Sequence, residues 1–348
     1  MKSLPMSGVS PIISIITPTF NRADEIDLLL ESINNQTIDY SLFEMIIADD
    51  GSTDSTEDLI AGWQQKTDFE LKYFTQDNQG PGSARNLGLK EAAGELFVFI
   101  DSDCEAHQAW LETIYAAYQN DEFDACGGPD SAKDDFTPIQ KAIDFSMTSF
   151  LTTGGMRGHS EKMIAKFYPR SHNMAMRRSM YDKVGGFGSL RHGQDIELSH
   201  RIHKSGARVK FLKNAVVYHR RRTTLKKFFR QVFNWGVARI NLSKIDKSML
   251  EPIHFLPAAA TLLAILVIMG SLVNPPVFFP IFLFGITSLL LMSIIAVYQS
   301  KSIKVGFYTS LTIPFQIFGY GSGFIIQFIK RYIFGMGEWR GFSKRYYH

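Results

Sequence analysis

The 348-residue chain predicts an α/β protein: a mixed, mostly parallel sheet with flanking helices, followed by an interfacial helix and a C-terminal membrane helix region. Three observations predict it. Short apolar runs alternate with helical patterns through the first hundred residues, charge is divided unevenly along the chain, and beyond residue 254 long stretches carry no charge.

The runs 12–17 (IISIIT), 44–48 (EMIIA), 70–75 (ELKYFT) and 96–100 (LFVFI) are β-branched, aromatic or aliphatic, and each ends in a turn or polar signal. That suits strands buried on both faces. Helical patterns at about 22–36, 54–66 and 81–93 lie between them. Strands and helices alternating at this spacing build βαβ units. Ligands of such sheets collect beyond the carboxyl ends of the strands, where Thr17, Asp49, Asp50, Asp101 and Asp103 fall. A less regular stretch, 127–194, reads as loops and short helices forming a wall beside that end. A helix at 195–205 and one or two strands within 208–218 complete a first domain over 1–223.

Residues 1–135 carry 26 acids against 7 bases, and the remainder carries 8 acids against 30 bases. The basic half is suited to phosphates or anionic lipid. Thr224–Ile240 interleaves Lys226, Lys227, Arg230 and Arg239 with Phe228, Phe229, Phe233 and Trp235. This is the pattern of an amphipathic helix lying on a membrane surface, and 224–250 is read as that segment.

Within 251–348, Phe255–Val273, Val277–Tyr298 and Val305–Ile329 contain no charged residue. Such stretches, at a rise of 1.5 Å per residue, reach roughly 28 to 38 Å, enough for a bilayer core of about 30 Å. A buried hairpin in a soluble domain is the alternative, and three stretches with basic flanks weigh against it. Topology stays open. Lys301 and Lys304 mark one link as cytosolic, yet three crossings would place Lys330, Arg331, Arg340, Lys344 and Arg345 outside, against the positive-inside tendency. Otherwise the third segment enters and leaves on one side, through a break at Pro314 or Gly319–Gly323. Met1–Ser10 lacks a secretory signal pattern, which keeps the first domain on the cytoplasmic side of the cell inner membrane. Cys104 and Cys126 have no metal or redox spacing and read as reduced thiols.

The chemistry-bearing residues form a constellation. Asp101-Ser102-Asp103 ends an apolar strand, and two carboxylates at that spacing are hard oxygen ligands for Mg²⁺ or Mn²⁺ that leave coordination positions for diphosphate oxygens. In Asp49-Asp50-Gly51-Ser52-Thr53-Asp54, Gly51 permits a sharp turn and Asp54 or Thr53 caps a helix, while Asp50 can accept an N–H from a base edge. Asn78-Gln79-Gly80-Pro81-Gly82-Ser83-Ala84-Arg85-Asn86 opens a helix with small residues and one cation, suited to phosphate or ribose. Its glycines match neither a dinucleotide fingerprint nor a P-loop, which argues against a dehydrogenase or an ATPase.

Ile15-Ile16-Thr17-Pro18-Thr19-Phe20-Asn21-Arg22, ADDGSTDST, DNQGPGSARNLGL and FIDSD, in this order and spacing, resemble the family 2 glycosyltransferases of the Rossmann-like GT-A fold. The match covers about 12–105 and continues more loosely to about 240. The resemblance implies a nucleobase pocket lined by Thr17, Pro18 and Asp50 with Arg85 nearby, Asp101 toward ribose and sugar, and Asp103 as metal ligand. Relatives carry a Glu-Asp pair whose Asp is the catalytic base; here Gln194-Asp195 stands in that place, so the Asp is kept and the Glu is not. Read alone, Asp195 is equally a helix cap. Asn173, in Ser171-His172-Asn173-Met174, matches a segment that lines the donor sugar, with a buried strand-end residue as the alternative. His219, after Val216-Val217-Tyr218, is a candidate additional metal ligand or else part of the basic surface with Arg220–Arg222.

The resemblance implies an inverting, metal-dependent transfer from a nucleotide sugar, with uracil the favoured base, to a polyprenyl-linked or other lipid-linked acceptor in cell-surface polysaccharide or glycoconjugate assembly. Membrane lipid is a partner and nucleic acid is not. Gln231 and Trp235 match only part of the Gln-x-x-Arg-Trp element of processive relatives, Asn234 replacing the Arg, which disfavours a polymer synthase. A nucleotidyltransferase or phosphatase with the same Asp-x-Asp pattern, and a non-catalytic membrane scaffold, are the rival readings.

Overall fold

The computed structural model describes residues 10–131, 133, 135–149, 152 and 166–342. The readings made on the first nine residues and on Lys344 and Arg345 lie outside them.

Strands β1 (Ile13–Thr19), β2 (Phe43–Asp49), β3 (Glu70–Thr75) and β4 (Leu96–Phe99) form where the apolar runs predict them, with helices α1 (Ala23–Asn34), α2 (Thr56–Gln64) and α3 (Pro81–Glu91) between. β1 and β2 are buried at every position, as expected of parallel strands covered on both faces. Alternation divides their side chains. Ile13, Ile15, Met45, Ile47 and Val98 pack with α1 and with α4 (Trp110–Gln119). Ile16, Ile46, Phe97 and Phe99 face the opposite side with Leu89 of α3. A charged group is tolerated inside: Glu44 accepts from Ser14 at 2.5 Å, from the Ala93 N–H at 2.7 Å and from Lys72 at 2.5 Å. Its carboxylate is thereby satisfied, as burial requires.

The 127–194 stretch contributes more regular structure than the sequence predicts. β8 (Met174–Arg177) lies antiparallel to β4, between β4 and β6 (Ala125–Gly127), and β9 (Val209–Phe211) closes the edge. The seven-stranded order is β3-β2-β1-β4-β8-β6-β9. A second, three-stranded sheet pairs β10 (Val217–His219) with β5 (Cys104–Ala106) and with β7 (Asp130–Ser131). Helices α5 (Pro138–Thr148), α6 (Arg178–Val184) and α7 (Gln194–Lys204) complete this domain.

Four long helices follow: α8 (Leu225–Ile245), α9 (Leu256–Val273), α10 (Pro275–Ser300) and α11 (Ile303–Phe328). α8 is buried on most of its circumference from Val232 to Ser243, including Phe233, Val237, Ile240 and Leu242, while its first turns, with Lys226 and Lys227 exposed, keep an open polar side. α11 passes through Pro314 and the Gly319–Gly323 run without interruption, so the break those residues would permit is not made. The glycines act in packing: a Cβ on Gly319 or Gly323 would overlap Val232 or the Phe233 carbonyl of α8, and one on Gly236 would overlap the Tyr320 carbonyl of α11. Small residues on both partners let two backbones approach closely.

Candidate active site

The metal-ligand candidates meet because of strand register. His219 on β10 lies opposite Cys104 on β5, one residue beyond Asp103, and Arg220 N–H donates to the Asp103 carbonyl at 3.1 Å. The His219 Nε2 atom is 3.4 Å from Asp103 Oδ1, and Nδ1 is 3.7 Å from Asp130 Oδ2. Asp103 Oδ2 also receives Arg22 Nη1 at 3.1 Å. Burial pushes the Asp103 carboxyl up, but His219, Arg22 and Arg222 outweigh it and hold the group well below the usual carboxylate range. Burial likewise lowers His219, and Asp103 and Asp130 reverse this, lifting the imidazole to about 9. An ionised carboxylate beside an imidazole nitrogen, both partly accessible, is a donor set that fits Mn²⁺ or Mg²⁺.

Asp101 is engaged differently. Its Oδ1 accepts from Arg85 Nη2 at 2.6 Å, and the guanidinium of Arg85 stacks over the Phe187 ring at 5.2 Å. Arg85 is thus a buried cation fixed beside the Asp-Ser-Asp turn, where it can meet an anionic oxygen. The buried hydroxyls of Thr17 and Thr19 at the end of β1 find no partner among the described residues, and Pro18 lies between them. Asp50 is fully buried. Its Oδ1 accepts from Gln76 Nε2 at 2.7 Å and Gln79 N–H at 2.9 Å, and its Oδ2 from Gly80 N–H at 2.6 Å. It shapes the loop that precedes α3. Asp54, read as a cap, accepts from Thr56 N–H at 3.1 Å and Thr56 Oγ1 at 2.5 Å at the start of α2.

Asp195 sits in the first turn of α7, directly after Gly193 at φ 83° and Gln194. Its carboxylate is partly open, 3.6 Å from Arg170 Nη1. Gln194, standing where relatives carry Glu, donates to the Gly188 carbonyl at 3.2 Å and presses on Gly82 so closely that a Cβ there would overlap its amide. This contact ties α7 to the loop that opens α3. Glu197 pairs with Arg201 at 2.7 Å and takes no place beside Asp195.

Asn173 is used up. Its Nδ2 donates to the Pro129 carbonyl at 3.0 Å and the Ala215 carbonyl at 2.8 Å, and its Oδ1 accepts from Trp110 Nε1 at 2.9 Å. At 1% exposure it is a staple between strand ends, and the buried strand-end alternative describes it better than a donor contact.

Several residues escaped the sequence reading. Arg22 closes the first motif but shows its role only through Asp103, 81 positions away. Asp130 and His172 join His219: the two imidazole rings lie 4.8 Å apart, and His172 Nε2 is 3.7 Å from Asp130 Oδ2. Burial and the neighbouring His219 depress His172 to about 4, so it is neutral at neutral pH. Arg221, itself buried, bridges Asp130 at 2.5 Å and Asp144 of α5 at 2.7 Å. The signal available was the Gly-Gly-Pro-Asp turn at 127–130, which reads as an ordinary turn when its partners are unknown. Cys104 and Cys126 are free and buried, and burial raises both thiols, in keeping with inert reduced cysteines.

The family model described as "Glycosyl transferase family 2" matches residues 14–185. The glycosyltransferase AglE of Haloferax volcanii is 28% identical over 249 residues, covering 69% of this chain and 79% of that protein. The Bacillus subtilis protein EpsH, named as a glycosyltransferase, is 31% identical over 245 residues, covering 66% of this chain and 67% of that protein. A Campylobacter jejuni GalNAc(5)-diNAcBac-PP-undecaprenol beta-1,3-glucosyltransferase is 40% identical over 106 residues, 30% of this chain and 33% of that one. Among solved structures, the mannosyltransferase PcManGT of Pyrobaculum calidifontis, in complex with GDP-Man and Mn²⁺, superposes with a TM-score of 0.63 at 17% identity, covering 89% and 88% of the two chains.

Proposed function

The chain belongs to the family 2 glycosyltransferases and has their GT-A fold, and from that premise we propose that it is a metal-dependent, inverting enzyme that moves a sugar from a nucleotide sugar to a lipid-linked acceptor at the cytoplasmic face of the inner membrane. The observation that carries this reading is the juxtaposition of Asp103 and His219 across the β5–β10 register, with Asp101 and Arg85 alongside. Asp103 and His219, with Asp101 adjacent, are the residues to hold Mg²⁺ or Mn²⁺, whose charge would stabilise the departing diphosphate. Arg85 supplies a second, fixed cation. Thr17 and Pro18, together with the loop that Asp50 holds, form the nucleobase end. Asp50, fully buried and accepting three hydrogen bonds from that loop, serves the base by fixing the backbone that faces it, with uracil the favoured base.

Asp195 is the base. It takes the proton of an acceptor hydroxyl as that oxygen attacks the anomeric carbon, with Arg170 Nη1 3.6 Å from the carboxylate. The lipid-linked acceptor is supported by the Campylobacter relative's named substrate and by the leucine- and phenylalanine-rich surface of α9 and α10, where Leu272, Val273 and Phe284 are largely exposed. Two helical segments, Pro252–Val273 and Pro275–Ser300, are long and apolar enough to cross a membrane.

A thermal-shift panel of UDP-, GDP- and dTDP-sugars with and without Mn²⁺ tests the donor reading. Stabilisation by a UDP-sugar only when Mn²⁺ is present is expected. No stabilisation by any nucleotide sugar with metal would remove it. Hydrolysis of the stabilising nucleotide sugar in the absence of acceptor separates an enzyme from a scaffold that has merely kept the fold.

A further inference from the structure

We propose that α11, the third apolar segment, does not cross the bilayer but lies along its surface on the catalytic side, leaving the α9–α10 hairpin to enter the membrane alone. This rests on the reading of the chain as membrane-anchored.

The levels at which α11 meets the hairpin carry the argument. Near its start, Gly306 abuts Val297 and the Ser293 carbonyl, in the last two turns of α10. Fifteen residues later, Gly321 abuts Thr261 and the Pro257 carbonyl, in the first two turns of α9; Thr261 Oγ1 donates to the Ile317 carbonyl at 3.2 Å, and Phe255 stacks edge-on against Phe324 at 5.0 Å. The end of α10 and the start of α9 are the same end of an antiparallel hairpin, its base. A third spanning helix would climb about 22 Å along the hairpin over those fifteen residues and would meet α9 near Val273. Instead α11 crosses the base from one leg to the other.

Its other partners belong to the catalytic domain. Thr312, fully buried, donates to the Ala142 carbonyl of α5 at 3.2 Å, and α5 is held by Arg221 to Asp130. The second half of α11 lies on α8 through Gly319 and Gly323, and Gln327 donates to Asn241 of α8 at 2.6 Å. Helix α8 is fastened beyond its last turn, where Asp246 pairs with Lys204 of α7 at 2.6 Å. The chain after α11 returns to α8 as well: the Trp339 carbonyl accepts from Asn241 at 3.0 Å, Phe342 N–H donates to Asn234 at 3.0 Å, and Phe342 packs on Phe233 at 4.7 Å. Residues on opposite sides of a bilayer could not make these contacts.

Charge and exposure agree. With α11 at the surface, Lys301, Lys304, Lys330, Arg331 and Arg340 share the side of Lys226, Lys227 and Arg230, as the positive-inside tendency asks. Past its base the hairpin exposes large apolar groups on all sides, among them Leu263, Leu266, Met269, Phe279 and Leu283, whereas α11 buries Thr309, Thr312 and Gln327 completely.

The test uses the full-length protein in sealed membrane vesicles of known orientation, with single cysteines D68C (catalytic domain), N274C (tip of the hairpin) and M336C (beyond α11), and with G337C as a second probe should M336C fold poorly. The two native cysteines are buried. A membrane-impermeant maleimide should label M336C or G337C from the same face as D68C, and N274C from the opposite face only. Labelling of M336C and G337C from the N274C face would overturn the proposal by showing that α11 crosses. Labelling of all positions from the D68C face would instead overturn the membrane-crossing reading on which it rests.

Discussion

The catalytic domain and the four-helix region invert each other's use of the interior. Around the strand ends the protein buries charge: Asp49, Asp50, Arg85 and Arg221 are all shielded from solvent, and each is held by oppositely charged or hydrogen-bonding partners. In α9 and α10 it exposes what a soluble domain would bury, with Leu272 at 78% and Phe284 at 74% accessibility. The first pattern fits a site that receives a charged ligand, because fixed and desolvated charges act strongly there. The second fits a surface whose solvent is lipid. α5, α8 and α11 join the two, through Asp144 at one end and the glycine seam at the other.

The sharpest way to break this contrast is at the carboxylates of the site. D195N and D103N should each lower kcat by about 10³-fold, with D103N also weakening Mn²⁺-dependent donor binding and D195N leaving it intact; steady-state transfer kinetics and thermal shifts read the difference. Next in size, R221M removes the buried guanidinium that Asp130 and Asp144 share and should cost about 3–5 kcal/mol of stability, measured by thermal unfolding in detergent. D130N added to R221M should recover part of the loss. On the membrane side, G323L forces α11 away from the Phe233 backbone and should cost about 1–3 kcal/mol, with donor binding by the folded fraction unchanged.

The gentlest perturbation is of pH. His219 is raised to about 9 from its ordinary 6.5, so without a metal ion its pairing with Asp103 stabilises the fold fully below 6.5. That contribution is lost as pH rises through about 9. A metal ion must displace this proton, so Mn²⁺ affinity should rise with pH up to about 9, by about tenfold per unit at most, and level off above it. Mn²⁺ titrations at two pH values, with H219A as the flat control, check the sign.

Much of the catalytic half was legible because its signals are local. β1 to β4 follow from uninterrupted apolar runs, α2 and α3 from the Asp54 and Pro81 starts, and the Asp-Ser-Asp pair from its place after Phe97–Ile100. Residues whose role depends on distant partners were not legible. Asn173 looks the same in sequence whether it meets a sugar or, as here, Trp110 and two carbonyls. Asp130, His172 and Arg22 acquire meaning only when β7, β10 and the start of α1 converge. The same limit applies to the third apolar segment. An uncharged stretch of spanning length reports composition, whereas Thr312 against Ala142 and Gln327 against Asn241 report what the helix packs on. The Gly319–Gly323 run was legible as special but not as a packing seam, since a break and a close approach ask for the same residue.

The central claim is that Asp103 and His219 jointly hold a divalent ion at the donor site. Electron paramagnetic resonance of Mn²⁺ titrated with the protein in the presence of a UDP-sugar tests it most directly, because bound ion withdraws intensity from the free six-line signal. Stoichiometric loss of free Mn²⁺ with the native chain, abolished in D103N and strongly weakened in H219A, is the predicted result. Equal Mn²⁺ uptake by all three proteins would contradict the account.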